Sequence, residues 1–410
     1  MSKDASFALT RRGLLASAPA SALLVSGCRP EASAQQLTQM LVDAPDGNSV
    51  PAAGIVVMRN NLVIAQAAAG EASVGSRVFS TRSAFRAASI SKMVVALTAE
   101  KLHRDGEVDL DKGVRTWLPF FPADTVAGED GPTLRALLSH TGGMKDPDEY
   151  WLAHPGHIES LLTPDAFREN TDFEYCNLAY GVVATALEAT TQRRFDRIAN
   201  DIVLKPMGLD AGFNWAGVSP EKKRDGATLY RNFGNGWASQ IDDRDTLRDP
   251  EPLVLTDGGA DLPTYQPGTN GTLFSPQGGL RANLMDLATI AARLKYAPEL
   301  TRRVWSLNAD QSNGSHDARY FTQFGTGVQI HPAGESIWPG YEVWGHPGEA
   351  YGLYSGAWYV PELNVSFAYA VTGTPDGEPD RSARHPALNK YTEVLMDAVM
   401  SAYEASPANR

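Results

Sequence analysis

Leu353-Tyr354-Ser355-Gly356-Ala357-Trp358-Tyr359-Val360 and Val365-Ser366-Phe367-Ala368-Tyr369-Ala370-Val371 decide the architecture. Both runs are rich in aromatic and β-branched residues. The turn residues Pro361-Glu362 and Asn364 separate them, so they read as consecutive strands. Trp344-Gly345-His346 is a third candidate strand just upstream. The pattern recurs near the start of the chain. Gly54-Ile55-Val56-Val57-Met58-Arg59, the turn signal Asn60-Asn61 and Leu62-Val63-Ile64-Ala65-Gln66-Ala67 read as a hairpin. Between the two ends the period turns helical. Met93, Leu97 and Leu102 recur at helical intervals between about Ser89 and Asp105. Leu134–Leu138 is a short helix stopped by Gly142-Gly143, Leu178–Ala189 a second, and Met285–Leu294 a third, capped by Asn283. A closing helix runs from about Pro386 to Tyr403, with Leu388, Tyr391, Val394, Leu395, Ala398 and Val399 on one face. Strands at both chain ends imply one antiparallel sheet built from both termini and covered by helices. The helical insert between them implies a second, all-α lobe. The fold class is α+β, with a cleft between the two lobes. The sheet region is expected over about 48–88 and 335–405, and the helical region over about 89–334.

Composition narrows the function. The chain has 410 residues, 43 % of them hydrophobic, enough for a sizeable core. Its net charge of −12 repels phosphate backbones, so nucleic acid is not an expected partner. Two Cys give neither a disulfide framework nor a thiolate zinc cluster. His154 and His157 are three apart, but no carboxylate motif joins them, so no metal site is expected. No apolar stretch is long enough for a mature membrane-spanning helix. No repeat or low-complexity tract is present.

The N-terminus reads as an address. Arg11-Arg12 before a short apolar run resembles a twin-arginine export signal, and Val25-Ser26-Gly27-Cys28 resembles a lipoprotein cleavage box. Residues 1–27 are read as the export signal and Cys28 as the lipidated residue. Residues 28–47 are read as a tether with a short helix from Ala34 to Val42, and 48–405 as the folded domain. The expected location is periplasmic, held to a membrane by lipid alone. With Cys28 acylated, Cys176 becomes a lone thiol, expected to be buried.

Three short motifs carry chemistry. In Ser89-Ile90-Ser91-Lys92, positions i and i+3 share a helix face, so Lys92 sits beside the Ser89 hydroxyl. An ammonium there eases alkoxide formation, and helix-terminal N–H groups can hold an oxyanion. Alone, the motif equally describes a helix-capping Ser with an exposed Lys. In Tyr175-Cys176-Asn177, a phenol beside a cation can act as a base, and the Asn amide can orient a carbonyl. Alone, Tyr175 is equally a half-buried aromatic and Asn177 a helix cap. In His346-Pro347-Gly348, Gly lets a substrate lie against the strand, and Pro347 implies an edge strand. The long segment from about Trp215 to Leu273 has few periodic stretches and reads as a lid or cleft wall. Its Trp215, Tyr230, Trp237 and Tyr265 could wall an acyl pocket or simply pack locally.

The three motifs in this order resemble the serine penicillin-recognising hydrolases. That family includes class C β-lactamases, D-alanyl-D-alanine carboxypeptidases, D-aminopeptidases and related esterases. Its pattern is S-x-x-K, Y-x-N, then K-T-G or H-x-G. Leu138-Ser139-His140-Thr141-Gly142-Gly143, the stretch Tyr175–Glu188 and Ser275-Pro276-Gln277-Gly278-Gly279-Leu280 resemble further landmarks. The resemblance runs from about Ala53 to Ala402. It implies a β-lactamase/transpeptidase-like fold and no cofactor. It implies Ser89 as nucleophile, Lys92 in its proton-transfer network and Tyr175 as general base and acid. Asn177, His346, Gly348 and Glu349 would bind substrate, with the N–H groups of Ser89 and Glu349 as oxyanion hole. His140 would be structural, at a helix end. The departure lies at His346-Pro347, where β-lactamases carry Lys-Thr. His is mostly neutral at pH 7 and Pro lacks both hydroxyl and N–H, which weakens a β-lactamase reading. Arg281 or Arg244 could supply the missing cation. The expected function is an exported acyl-enzyme hydrolase of an amide or ester, led by a D-amino-acid peptide of the cell wall. Carboxylesterase, β-lactamase and non-catalytic envelope binding protein are the alternatives; the oligomeric state is open.

Overall fold

The computed structural model describes residues 31–43, 49–152, 155–234, 236–240, 264–314, 320–375 and 383–406. The proposed export signal, Cys28 and Arg244 lie outside the described residues. The described strands are β1 Ala52–Arg59, β2 Leu62–Ser73, β3 Arg77–Val78, β4 Phe85–Arg86, β5 Leu229–Asn232, β6 Trp237–Gln240, β7 Arg281–Ala282, β8 Trp305–Ser306, β9 Gln323–Phe324, β10 Gln329–His331, β11 Val343–Ala350, β12 Leu353–Val360 and β13 Val365–Thr372. The described helices are α1 Glu31–Val42, α2 Ser91–Arg104, α3 Leu134–Leu138, α4 Asn177–Thr191, α5 Phe195–Ala199, α6 Pro220–Arg224, α7 Leu284–Arg293, α8 Pro298–Thr301 and α9 Lys390–Ala405.

The two chain ends build one sheet. Nine strands pair in the order β3-β2-β1-β13-β12-β11-β10-β9-β8, and each of these pairings is antiparallel. β1 lies between β2 and β13, with Ile55 opposite both Ala67 and Tyr369. Asn60 and Asn61 turn the first hairpin with φ of 52° and 63°, a left-handed pair that Asn tolerates well. Successive strand residues point to opposite faces, and both faces are covered. Ile55, Val57, Phe367 and Tyr369 pack with Leu37 of α1 and Leu395 and Val399 of α9. Val56, Ala368 and Ala370 pack with Leu284 and Leu287 of α7 and with Met93 of α2. Two buried faces explain why β12 and β13 read as unbroken apolar runs rather than alternating ones. α7 begins at the expected cap: Asn283 and Asp286 form a reciprocal capping box.

Three expectations change. The sheet does not begin again at 335, because β8, β9 and β10, between Trp305 and His331, extend it beyond β11. They are two or three residues long, too short to show a period. The insert between the two halves of the sheet is not all-α: it carries the β5–β6 hairpin, which packs against β12 and β13, and β7, which pairs with β4. The 28–47 tether contains a docked helix: α1 lies against α9 and β2, and Leu37 is fully buried.

β11 sets the site. β12 flanks it from Trp344 to Ala350, but β10 flanks only Val343 to Gly345. From His346 onward its outer edge carries no ladder partner among the described residues, which is where a strand tolerates Pro347.

Leu37→Ala is expected to lower the unfolding free energy by about 2–3 kcal/mol in urea titration. An unchanged value would mean that α1 adds nothing to the core.

Candidate active site

Ser89 is presented by a bent junction. The chain leaves β4, Ala88 takes a left-handed φ of 51°, and a tight turn over Ala88–Ile90 feeds α2. Such a φ costs an L-residue roughly 1–2 kcal/mol, so the surroundings must hold it. Ser91 does so: its Oγ donates to Ala88 O at 2.6 Å and accepts from Leu280 N at 3.0 Å. Ala87 N adds a bond to Leu280 O at 2.8 Å. The S-P-x-G-G-L segment therefore buttresses the Ser89 turn.

Lys92 is fully buried one helical turn on. Its Nζ donates to Ser89 Oγ at 3.1 Å, Asn177 Oδ1 at 2.7 Å and Gln277 O at 3.0 Å. Burial is the larger influence on its charge and pulls its pKa down to about 7, against the opposing pull of the Asp146 carboxylate. Asn177 Oδ1 and Gln277 O can only accept. When Lys92 loses a proton, its lone pair therefore falls toward Ser89.

Asn177 is not the helix cap. Cys176 takes that position, with Sγ accepting from Ala179 N, and Asn177 opens α4 with its amide turned to Lys92. Asp146 Oδ2 accepts from Asn177 Nδ2 at 2.8 Å, while Oδ1 accepts from Leu178 N at 2.8 Å. Asp146 thus orients the Asn177 carbonyl onto Lys92, a role that no local sequence pattern signals. Cys176 is buried and unpaired in a disulfide, as expected.

Tyr175 lies face to face with Phe321 at 4.8 Å, and the Lys92 Nζ sits 4.7 Å from its ring centre. His140 is just beyond α3, with a left-handed φ of 60°. It fixes the backbone on both sides of Tyr175: Glu174 N donates to His140 O at 2.9 Å and Cys176 N to His140 Nδ1 at 3.1 Å. Burial, reinforced by Lys92, holds its pKa well below the usual histidine value, so the ring is a neutral acceptor at Nδ1.

His346 departs from its expected place at the substrate surface. It is fully buried, and its Nδ1–H donates to Pro347 O at 2.6 Å. Burial first, then Lys92, lowers its pKa to about 3, so it carries no charge near neutrality. Pro347 and Glu349 face the cleft instead. Gly348 is required by packing: a Cβ there would lie 2.4 Å from Ser355 Oγ and 2.6 Å from Ala87 O. That approach sets the next peptide, Glu349, beside the Ser89 turn.

The cleft holds about 550 Å³ and is lined by Ser89, Tyr175 and Asn177. Its aromatic walls are Tyr150, Tyr320, Phe321 and Tyr351, and Arg86 and Arg231 also line it. The four aromatics of the long loop, for which a pocket wall and local packing were both open, pack locally. Trp215 is buried against Arg281, and Trp237 Nε1 donates to Ser49 O at 3.2 Å. Tyr230 Oη accepts from Val74 N at 2.8 Å, and Tyr265 Oη donates to buried Glu188 at 2.5 Å. Arg281 is buried with its guanidinium 5.8 Å from the Trp215 ring centre, so it does not supply a cleft cation. Among the described residues His103, Asp109 and Asp111 lie close enough together for an ion, but Asp111 is bound to Arg135 and none of the three lines the cleft.

The Beta-lactamase family matches residues 37–391. Esterase EstB of Burkholderia gladioli is 28 % identical over 193 residues, 41 % of this chain and 46 % of that protein. Penicillin-binding protein 4* of Bacillus subtilis is 27 % identical over 146 residues, 33 % of this chain and 31 % of that protein. The chain thus aligns with less than half the length of these curated relatives. Among solved structures, D-amino acid amidase from Ochrobactrum anthropi SV3 superposes with a TM-score of 0.65 at 18 % identity, covering 91 % of this chain and 97 % of that one. EstCE1, described as a hydrolase with promiscuous acyltransferase activity, gives 0.65 at 22 % identity, covering 90 % and 98 %. Those likenesses show the shared fold. With the family matched over most of its length, the chain belongs to the Beta-lactamase family of serine hydrolases.

Proposed function

We propose that the chain hydrolyses small esters, and more slowly amides, through an acyl-enzyme on Ser89. The observation that carries this reading is the Lys92 Nζ held 3.1 Å from Ser89 Oγ, with its other two bonds tied to obligate acceptors. Ser89 Oγ attacks the carbonyl carbon and its proton passes to Lys92. The N–H groups of Ser89 and Glu349 receive the oxyanion. Tyr175 protonates the leaving oxygen or nitrogen as the C–O or C–N bond breaks, and Lys92 passes on to Tyr175 the proton it took from Ser89, so both end the step as they began it. Water then repeats the sequence and frees Ser89.

The ester preference rests on His346-Pro347. Cell-wall peptides ending in D-alanine, and penicillins, carry a carboxylate that β-lactamases meet with Lys at this strand. Here the strand offers a neutral, buried His and a Pro, so such ligands lose a charge-assisted contact. Export and lipid attachment at Cys28 are part of the same proposal, on the strength of Arg11-Arg12 and Val25–Cys28. Arg11→Lys with Arg12→Lys is expected to leave the protein in the cytoplasm, and Cys28→Ser to abolish labelling by a radioactive fatty acid. Wild-type protein found unlabelled in the cytoplasm would overturn both.

A fluorophosphonate is expected to add to Ser89, seen by intact mass, and Ser89→Ala to abolish both adduct and turnover. An aryl ester should acylate faster than penicillin by about tenfold to a hundredfold, the worth of one charged hydrogen bond. Faster acylation by penicillin would reverse the substrate assignment.

Because Lys92 must be neutral to accept a proton, kcat/KM is expected to rise with pH through about 7. The same shift bears on stability. Between about 7 and the unfolded value of 10.5, the folded chain binds fewer protons than the unfolded one. Unfolding free energy should therefore rise with pH across that window, and less so in Lys92→Met. Equal slopes for the two proteins in urea titrations at several pH values would refute the shift.

A further inference from the structure

A small aromatic core stands apart from the two that cover the sheet. Phe173, Trp305, Phe321 and Phe324 are all buried and pack together, and Tyr175 lies against them. The short strands β8 and β9 hold this core. Trp305 stands opposite Phe324 and Ser306 opposite Gln323, and Leu307 N donates to Thr322 O at 2.8 Å. Trp305 stacks on Phe173 at 4.3 Å, and its Nε1 donates to Asn313 O at 3.0 Å. The same carbonyl accepts from Phe173 N at 3.2 Å. Of the four rings, Phe321 lines the cleft.

Phe321 covers Tyr175. The two rings are 4.8 Å apart and 7° from parallel, an offset stack. The His140 ring and Lys92 Nζ lie 4.4 and 4.7 Å from the centre of the same Tyr175 ring. A parallel ring fills the face it covers, so those two contacts belong to the opposite face. The bonds from Glu174 and Cys176 to His140 fix the backbone around Tyr175, but they leave its two side-chain torsions free. The plane of Phe321 on one side and His140 on the other restrict both. Phe321 is held in turn by Tyr320 at 4.8 Å and by Phe173 and Phe324, each at 5.7 Å. A chain of packed rings thus runs from β8 to the phenol.

Where the phenol points decides which leaving groups can depart. 4-Nitrophenolate is stable as an anion near neutral pH and departs without a proton; the proton that Lys92 took from Ser89 then passes to water. An ordinary alkoxide departs only as the alcohol. The C–O electron pair goes to the leaving oxygen, the Tyr175 O–H bond breaks and its proton follows, and Lys92 restores the phenol with the proton from Ser89. That transfer needs hydrogen-bond reach, which about 1 Å of drift takes away.

We propose that Phe321 is a positioning residue for Tyr175, and that this contact extends hydrolysis from activated aryl esters to esters of ordinary alcohols. This rests on the reading of Ser89 as nucleophile and Tyr175 as the acid.

The test uses ethyl butyrate and 4-nitrophenyl butyrate, which share an acyl group and differ in leaving group. Phe321→Met keeps most of the buried volume but loses the flat face, and Phe321→Tyr keeps both. In Phe321→Met, kcat/KM for the ethyl ester should fall about tenfold to a hundredfold, and that for the 4-nitrophenyl ester by no more than about threefold. Phe321→Tyr should restore the wild-type ratio of the two. A merely structural loss lowers both rates together and leaves the ratio alone. An unchanged ratio in Phe321→Met therefore overturns the proposal, as does an equal change of ratio in Phe321→Tyr. Rates are taken per Ser89 labelled by fluorophosphonate, so a partly folded variant still gives a ratio, and Phe321→Leu replaces a Met variant that does not label. A labelled wild type that leaves ethyl butyrate intact also overturns the proposal. Tyr175→Phe separates the two readings. If its ratio matches the wild type, Tyr175 is not the acid and the reading beneath fails. If its ratio changes and that of Phe321→Met does not, the positioning role alone fails.

Discussion

A single buried ammonium organises this active site. Lys92 is fully buried, so each of its three protons needs an acceptor, and the fold is arranged to provide them. One comes from its own helix turn, one from the start of α4, and one from the Gln277 carbonyl in the segment that also braces Ser91. Those three pieces are far apart in sequence. Removing any of them leaves the charge under-solvated, so the residue that contacts Ser89 also fixes where the helical lobe meets the sheet. Asp146 extends the arrangement. Without its carboxylate the Asn177 amide could turn its nitrogen toward Lys92, and a donor facing a donor would repel.

The strand wall follows from a second constraint, the closeness of β11 to the Ser89 turn. Gly348 touches Ala87 and Ser355 so tightly that no side chain fits. Alternation along the strand then determines every neighbour. His346 and Gly348 point into the protein, and Pro347, Glu349 and Tyr351 line the cleft. A charged residue at position 346 would be driven inward among Tyr175, Phe321 and Phe324, at 6.1, 6.1 and 6.0 Å. Neutral histidine is a side chain this packing accepts, and its neutrality is a consequence of where the strand puts it.

Much of this was legible before any coordinate. The strands from both chain ends, the Asn60-Asn61 hairpin and the Asn283 cap came from period and turn chemistry, and the grouping of Ser89, Lys92, Tyr175 and Asn177 from the family resemblance that their motif order carries. What stayed hidden depends on tertiary proximity. Asp146 sits in a loop with no period, and its partner is 31 residues away. Arg86 stands three residues before Ser89, but nothing local says that its guanidinium reaches the cleft. The loop aromatics show the converse limit, since composition left a pocket wall and local packing equally open. Tyr230 and Trp237 had the composition of a pocket wall, yet the β5–β6 hairpin spends them on contacts with Val74 and Ser49. β8 to β10 were invisible for a simpler reason, since strands of two or three residues carry no periodicity.

The backbone strain at this site is distributed with a pattern. Ala88, His140 and Tyr351 all hold left-handed φ without being glycine. Each stands next to a residue whose placement matters: Ala88 precedes Ser89, His140 brackets Tyr175, and Tyr351 lies against Arg86 and Arg231. Strain of this kind persists only where surrounding contacts over-determine it, and the contacts are present in each case. Ser91 pins Ala88, the bonds from Glu174 and Cys176 pin His140, and β5 pins the turn of Tyr351 and Gly352. A relaxed backbone at any of the three would let the adjoining group drift from the cleft. The strain is thus the local consequence of holding Ser89, Tyr175 and Tyr351 in one fixed frame.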